Sequence, residues 1–157
     1  MAEEKIDELD LIPDLKGWKD QNEESFTIAD WVLFHATPEL MVGFSSIFWP
    51  EFIEVDGCVF LKDGYDQDNI DAWAESTKGD MVAVQKVVNH QHIYDLFQND
   101  SVEKLNIQQV KYLSDLLVDM WSAKLKRDFP QLDIDVQVCD FDEEDVIATS
   151  VSFWTKA

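Results

Sequence analysis

Two segments of the chain alternate apolar and polar residues and predict β-hairpins. Between Phe52 and Leu61, the pair Asp56-Gly57 separates two apolar stretches that contain β-branched residues. An Asp-Gly pair there favours a type I′ turn, because both central residues of that turn need positive φ. Residues 133–154 alternate around an acidic turn at 142–145. We therefore expect antiparallel hairpins near 52–61 and 133–154.

Residues 25–50 carry the start and stop signals of two helices. Thr27 is predicted to cap a short helix through Ala36. Thr37-Pro38 starts a second helix, because a hydroxyl cap followed by proline is a common helix start. That helix ends before Pro50, since the residue preceding a proline is disfavoured in the helical region.

Three further helices are predicted between residues 69 and 127. Asn69 caps a short helix that Gly79 closes, and Asp80 caps a longer helix over 81–97. Residues 81–88 would also suit a strand, but the spacing of the apolar residues favours a helix. The helix over 106–127 begins with a capping box formed by Asn106 and Gln109. One face of the 81–97 helix would carry Met81, Val84, Val88, His92 and Leu96.

No repeat or low-complexity linker divides the chain after residue 25. We expect residues 25–157 to form a single α+β domain, with an antiparallel sheet packed against several helices. Residues 1–24 form an acidic N-terminal arm with isolated large apolar residues. Two alternatives stay open for this arm: it is disordered until it meets a partner, or it folds back onto the domain.

The charge of the chain excludes several classes of partner. Its 157 residues include 33 acids and 12 Lys or Arg, for a net charge of -21, and Arg127 is the single arginine. A duplex-binding protein needs clustered cations to displace counterions from phosphates, so nucleic acid is not an expected ligand. The apolar stretch at 41–49 is too short to cross a bilayer, and we expect no membrane association.

Neither the start of the chain nor its cysteines indicate secretion. The residues after Met1 lack the basic and apolar regions of a signal peptide. Cys58 and Cys139 lack the paired spacing of zinc or redox sites, which favours reduced thiols in a cytoplasmic protein.

The sequence carries no motif for a cofactor or a metal. The acidic loop at 63–71 does not match the calcium-binding loop of an EF-hand. Counted from Asp66, the fifth position is Ile70 rather than an oxygen ligand, and the sixth is Asp71, where glycine is needed. His90 and His92 would point apart on a helix and could share an ion only if this segment were a strand or a loop. We predict no cofactor and no metal.

Two hypotheses for function follow from these features. The first is a non-catalytic, acidic protein-binding domain, such as an inhibitor or immunity-type protein that neutralises a basic partner. The second is a small enzyme or ligand-binding domain with a pocket between sheet and helices, lined by His35 or His92. Adaptation to high salt is a third explanation of the acidity. For the first hypothesis, the predicted contact residues are Asp63, Tyr65, Asp66, Asp68, Asp133, Asp135, Phe141, Asp142, Glu143, Glu144, Asp145 and Trp154.

Overall fold

The computed structural model describes residues 6–22, 25–97 and 105–156. These residues form one α+β domain with two antiparallel sheets packed against helices, as predicted. The helices are α1 (Glu8–Leu11), α2 (Leu15–Asn22), α3 (Ile28–His35), α4 (Pro38–Phe48), α5 (Gln67–Ser76), α6 (Met81–Val88) and α7 (Ile107–Asp128). The strands are β1 (Phe52–Val55), β2 (Cys58–Leu61), β3 (Gln91–His92), β4 (Ile134–Cys139) and β5 (Ser150–Thr155).

Both predicted hairpins are present, but they belong to different sheets. In the first, Val55 pairs with Cys58, and Asp56 and Gly57 have φ values of 51° and 79°, as a type I′ turn requires. In the second, β4 and β5 pair along their full length. The prediction missed β3, which adds to the free edge of β5 and gives a second sheet in the order β3-β5-β4.

The predicted helix over 81–97 is wrong beyond Val88. The chain leaves α6 at Asn89 and becomes extended, and the next residues pair with β5 through His92 opposite Ser150. A short 3-10 turn at Tyr94–Leu96 follows. The backbone groups of β5 need a partner on this edge, and the Ile93 N–H donates to the Thr149 carbonyl at 3.0 Å.

Side-chain caps fix the starts of most helices where the sequence placed them. Thr27, Thr37 and Asp80 accept hydrogen bonds from the first turns of α3, α4 and α6, and Asn106 and Gln109 form the predicted capping box. The prediction for α5 is wrong, because Asp66 rather than Asn69 is the cap. The Asp66 carboxylate accepts from the first backbone N–H groups, and a negative charge there is favoured by the helix dipole.

Aromatic side chains fill the centre of the domain between α7, the β1–β2 hairpin and β5. Trp121 and Phe153 contact edge to face at 5.8 Å, and Phe52 lies edge-on to both rings. The Trp121 indole N–H donates to the Ile47 carbonyl at 2.9 Å, which attaches the end of α4 to this core. A second, smaller cluster forms around Phe60 and Val84 between the hairpin, α5 and α6.

Two buried polar side chains of α6 connect the two sheets. Gln85 accepts hydrogen bonds at 3.1 Å from the backbone N–H groups of Val59 in one sheet and Thr155 in the other. Asn89, the residue that caps α6, donates to the carbonyl groups of Val59 and Phe153. Because the hairpin and β5 belong to separate sheets, these amides supply hydrogen bonds that no strand pairing provides.

The described part of the N-terminal segment packs against α7. Leu15 is fully buried, and Trp18 stacks on Phe26 with ring centroids 5.3 Å apart. The capping-box side chains of α7 also reach the segment, since the Asn106 amide donates to the Asp10 carbonyl at 2.9 Å. Residues 1–5 and 23–24 of the predicted arm lie outside the described residues, and its separation from the domain at residue 24 stays a prediction.

A buried lysine lies near the end of α7. Lys124 is 7% exposed, lies over the Phe52 ring at 5.8 Å, and donates to the Asp128 carboxylate. The Arg127 Nε also donates to Asp128, at 2.9 Å. The hydrogen bonds from Lys124 and then Arg127 lower the pKa of Asp128 below its ordinary value of 3.8.

The substitution Asp128→Asn should lower the free energy of unfolding by about 1–3 kcal/mol at pH 7, because it leaves the Lys124 ammonium without its carboxylate. The stabilisation from a lowered pKa is present above 3.8 and is lost as pH falls through the lowered folded-state value. Urea unfolding should therefore show the two proteins converging in stability below that pH.

The matched control for this variant is Asp115→Asn. Asp115 forms the same i,i+4 pair with Lys111 at 3.2 Å, but both side chains are more than half exposed. An exposed pair contributes about 0–1 kcal/mol. Equal losses in the two variants would show that the burial of Lys124 has no energetic consequence.

Candidate functional site

Helices α3 and α4 expose an unusual number of large apolar side chains. Neither helix contains a buried residue. Of the twelve exposed large hydrophobic residues in the described chain, seven lie between residues 33 and 49, so the exposure is concentrated rather than scattered. We call the following six the α3–α4 face: Leu33, Phe34, Leu40, Met41, Val42 and Phe44.

The face exists because α4 is apolar on most of its circumference. A helix with that pattern is normally buried on all sides. Here only Ile47 and Phe48, at its C-terminal end, pack against the main core. Its preceding turns point outward, and Val42 is 71% exposed. The fold therefore supplies packing partners for one end of α4 and leaves the rest uncovered.

Helix α3 is attached to the domain through aromatic contacts on one side. Phe34 contacts Trp18 of α2 at 4.9 Å and Phe26 at 6.2 Å. Leu33, next to Phe34 in the chain, is 79% exposed. The aromatic contacts hold α3 in place while Leu33 faces solvent.

The summed exposed apolar area of the α3–α4 face is larger than single scattered residues would give. Burying a Phe, Tyr or Trp side chain removes about 150–250 Å² from water, and the aliphatic members of the face are smaller. Together the six residues, at roughly half to four-fifths exposure and spread over more than one side of the two helices, present on the order of 500 Å². The largest apolar patch on a monomeric protein is about 300–600 Å² and is often functional. The face is therefore a candidate binding surface.

The α3–α4 face lies in a part of the chain without basic residues. Residues 20–61 contain eight Asp or Glu and no Lys or Arg. Asp30 and Glu39 lie in the first turns of α3 and α4, and hydrogen bonds lower the pKa of each carboxyl. For Asp30 the largest cause is the Thr27 hydroxyl, and for Glu39 it is its own backbone N–H. Both carboxylates are thus charged at neutral pH beside the apolar side chains.

Two cations lie at the C-terminal end of α4. The Arg127 guanidinium lies 5.2 Å from the centre of the Trp49 ring, and the Lys124 ammonium lies 5.9 Å from it. Both cations also bond to Asp128. The single Asp128 carboxylate therefore offsets part of the positive charge at this end of α4.

The acidic loop predicted to bind a partner serves partly to start α5. Asp63, Asp66 and Asp68 are exposed, but the Asp66 carboxylate is the cap of α5. Tyr65 is half-buried, with its ring 5.7 Å from Phe60, and its hydroxyl donates to Gln67. Tyr65 therefore contributes to the smaller core cluster, while Asp63 and Asp68 remain at the surface.

The turn between β4 and β5 is the more exposed of the two predicted acidic patches. Phe141, Asp142, Glu143, Glu144 and Asp145 are all exposed there. Two of their carboxylates order the turn itself, since Asp142 accepts from the Glu144 N–H at 2.8 Å and Asp145 from the Ile147 N–H at 3.2 Å. The outward-facing anionic groups lie beside Phe141, which is available for contact.

Of the remaining predicted contact residues, Asp133 before β4 is exposed, while Asp135 on β4 and Trp154 on β5 are less accessible. Asp133 pairs with Lys156 at 3.4 Å, and Asp135 accepts a hydrogen bond from Gln137. Trp154 is only 9% exposed, and the Lys86 ammonium lies 4.0 Å from the centre of its ring. Trp154 is therefore covered in the folded domain.

The structure does not bring His35 and His92 into one pocket. His35 is on α3, stacked on Trp31 at 4.1 Å, while His92 is on β3 beside His90. An open depression of about 320 Å³ lies near the start of α6, and neither histidine lines it. Its lining residues are Gly57, Cys58, Gly79, Asp80, Met81, Val82, Gln85, Thr155 and Lys156.

Both cysteines are free and poorly suited to nucleophilic chemistry. Burial raises the pKa of the Cys58 and Cys139 thiols, and a neighbouring carboxylate adds to each shift. A raised pKa disfavours the thiolate, which is the reactive and metal-binding form. Within the described ranges, no group of three or more His, Cys, Asp or Glu side chains is arranged to hold a metal ion.

Sequence reasoning missed the α3–α4 face. The pattern that could have revealed it is the absence of Lys and Arg from residues 20–61 together with an α4 that is apolar on most of its circumference. Neither signal shows by itself whether the apolar residues are covered, since that depends on the rest of the fold.

Comparison with known proteins identifies no relative: no family model, no curated protein and no solved structure matches the chain.

Proposed function

We propose that the protein is a non-catalytic binding domain that docks a basic partner protein through the α3–α4 face. The observation that carries this proposal is a large exposed apolar surface bordered by the carboxylates of Asp30 and Glu39. A few buried anchor residues supply most of the affinity in protein interfaces, and complementary charge supplies rate and specificity. An inhibitor or immunity-type protein that neutralises a basic partner is one form of this function.

The charge distribution favours a basic partner over a second copy of the chain. Two molecules with a net charge of -21 repel each other at long range, and the face contains no Lys or Arg to offset this. A partner with Lys and Arg around its own apolar residues would gain attraction from the same carboxylates. The acidic turn at 142–145 would add to that attraction at a distance.

The same negative charge disfavours other ligands that could bind an apolar surface. Nucleic acid and anionic lipid both carry phosphates, which the carboxylates of Asp30 and Glu39 repel. Among the helices that the structure describes, none has both the length and the apolar character to cross a membrane. Of these ligand classes, a protein with basic side chains is the one whose charge is complementary to the carboxylates beside the α3–α4 face.

The enzyme or ligand-binding alternative depended on a pocket lined by His35 or His92. These residues lie on α3 and β3 in separate surroundings, and neither faces the 320 Å³ depression near α6. No observation among the described residues favours this alternative, so we do not propose it.

The proposal can be tested with a synthetic helical peptide that has leucine on one face and lysine on the other. Binding is followed by tryptophan fluorescence, since Trp31 and Trp49 lie at the two ends of the α3–α4 segment. We expect the peptide to bind, with an affinity that falls as salt is raised. A control peptide with serine in place of leucine should bind at least tenfold more weakly, or about 1.4 kcal/mol.

Two results would contradict this proposal. Equal affinity for the leucine and serine peptides would show that charge alone drives binding and that the apolar face is not used. A stable dimer of the protein in sedimentation, dispersed by the substitution Val42→Glu, would show that a second copy covers the face.

A further inference from the structure

We propose that His90 and His92 form a binding site for a divalent transition-metal ion such as Zn²⁺. The two residues follow the end of α6, where the chain is extended rather than helical. Side chains two residues apart on an extended chain point to the same side. Their Nε2 atoms are 2.8 Å apart, and the rings meet nearly at right angles, with an interplanar angle of 82°.

The backbone around the pair is held on both sides. Asn89 is fully buried and bonds to the hairpin and to β5, which fixes the chain immediately before His90. His92 is paired with Ser150 across the β3–β5 ladder. The convergence of the two rings is therefore a consequence of the fold, not of flexible side chains meeting at the surface.

Hydrogen bonding assigns the tautomer of each ring. The Nδ1 of His90 lies 2.9 Å from the Val87 carbonyl oxygen, which can only accept, so this Nδ1 carries a hydrogen. Neutral His90 then presents a lone pair at Nε2. With both rings neutral, the hydrogen between the two Nε2 atoms belongs to His92, and the Nδ1 of His92 is a buried acceptor without a partner among the described residues.

This arrangement prepares His90 as a metal ligand. Ligating histidines commonly donate their second ring N–H to a backbone carbonyl, as His90 does to Val87. When an ion binds, each Nε2 supplies one lone pair, and the hydrogen of His92 moves from Nε2 to Nδ1, where the described residues offer no acceptor, which lowers the affinity of the site. No proton is released, and the charge of the site rises by that of the ion.

The distance between the two Nε2 atoms is close to the distance that two nitrogen ligands have in a tetrahedral metal site. A tetrahedral ion with Zn–N bonds of about 2.0–2.1 Å places two nitrogen ligands about 3.3 Å apart. The present separation is 2.8 Å, and the exposed ring of His90 is free to rotate by the small amount required. Imidazole selects ions such as Zn²⁺, Ni²⁺ and Cu²⁺ over Mg²⁺ and Ca²⁺, and water would complete the coordination.

The site is tested by titrating Zn²⁺ into chelator-treated protein that carries no histidine tag. Nitrogen NMR of the imidazole rings reports each tautomer and each ligand separately. We expect one ion per chain, with the ring signals of His90 and His92 shifting and those of His35 unchanged. The His92 signals should also report the transfer of hydrogen from Nε2 to Nδ1.

Variants at the three histidines provide the comparison. His90→Ala should weaken Zn²⁺ binding at least about tenfold, since loss of an outer-sphere partner alone costs about 10–100-fold. His35→Ala should bind as the wild type does. Because His90 is exposed, its variant retains the fold even where His92→Ala does not. Wild-type affinity in His90→Ala, or ring signals of His35 that shift together with the others, would overturn the proposal.

Discussion

Replacing Gln85 with methionine should lower the free energy of unfolding by about 2–4 kcal/mol, although the side-chain volume is nearly conserved. Gln85 is 1% exposed, and its carbonyl oxygen accepts from the Val59 and Thr155 N–H groups. Methionine would leave both donors buried, and each unsatisfied group costs about 1–3 kcal/mol. Urea unfolding monitored by circular dichroism measures the difference.

The control for this variant is Gln137→Met on β4. Gln137 is exposed and its side-chain amide donates to the Asp135 carboxylate at 2.9 Å, so the same chemical change should alter stability by less than about 0.5 kcal/mol. Similar losses at both positions, or no loss at Gln85, would show that the connection between the two sheets does not depend on this amide.

The double substitution Leu33→Glu and Val42→Glu should weaken binding of the leucine–lysine peptide about 100-fold. Truncating an anchor residue typically costs at least about 2 kcal/mol, and the two losses need not add fully. Both residues are more than 70% exposed, so stability should change by less than about 0.5 kcal/mol each. Fluorescence titration and urea unfolding measure the two effects.

Glutamate makes this test decisive because the peptide is basic. If charge alone drove binding, two added carboxylates would strengthen it; if the apolar face is the docking surface, they weaken it. Ile147→Glu is the matched control, since Ile147 is 55% exposed but lies between β4 and β5. Tighter binding by the double variant, or equal weakening by the control, would contradict docking at the α3–α4 face.

The elements that could be predicted from the sequence are those fixed by local chemistry. The Asp56-Gly57 turn and the caps at Thr27, Thr37 and Asp80 depend on residues within a few positions of each other. Each uses a backbone conformation or a hydrogen bond that few other residues provide. These predictions needed no knowledge of the rest of the fold.

The end of α6 could not be predicted in the same way. Helical spacing continues past Val88, but the amide of Asn89 bonds to the Phe153 carbonyl, 64 residues later in the chain. The following residues then add to β5. A pairing between distant segments overrides a local pattern, and no window around residue 90 contains that information.

The candidate site, too, could be predicted only in part from local sequence patterns. The acidic residues of the turn at 142–145 could be placed at the surface because charged side chains are rarely buried without partners. The apolar residues of α4, including Met41 and Val42, form a pattern typical of a buried helix, and only the fold shows that the described residues leave them exposed. Composition thus predicts the charge of the proposed partner, while the proposed docking surface could be located only from the structure.

Hydrogen exchange with the leucine–lysine peptide bound tests the central claim most directly, because it locates the contact without any substitution. We predict that the amides of α3 and α4, residues 28–48, exchange more slowly in the complex, while those of the acidic turn at 142–145 and the loop at 63–68 change little. Protection confined to the turn or the loop, with α3 and α4 unchanged, would contradict the α3–α4 face as the docking surface.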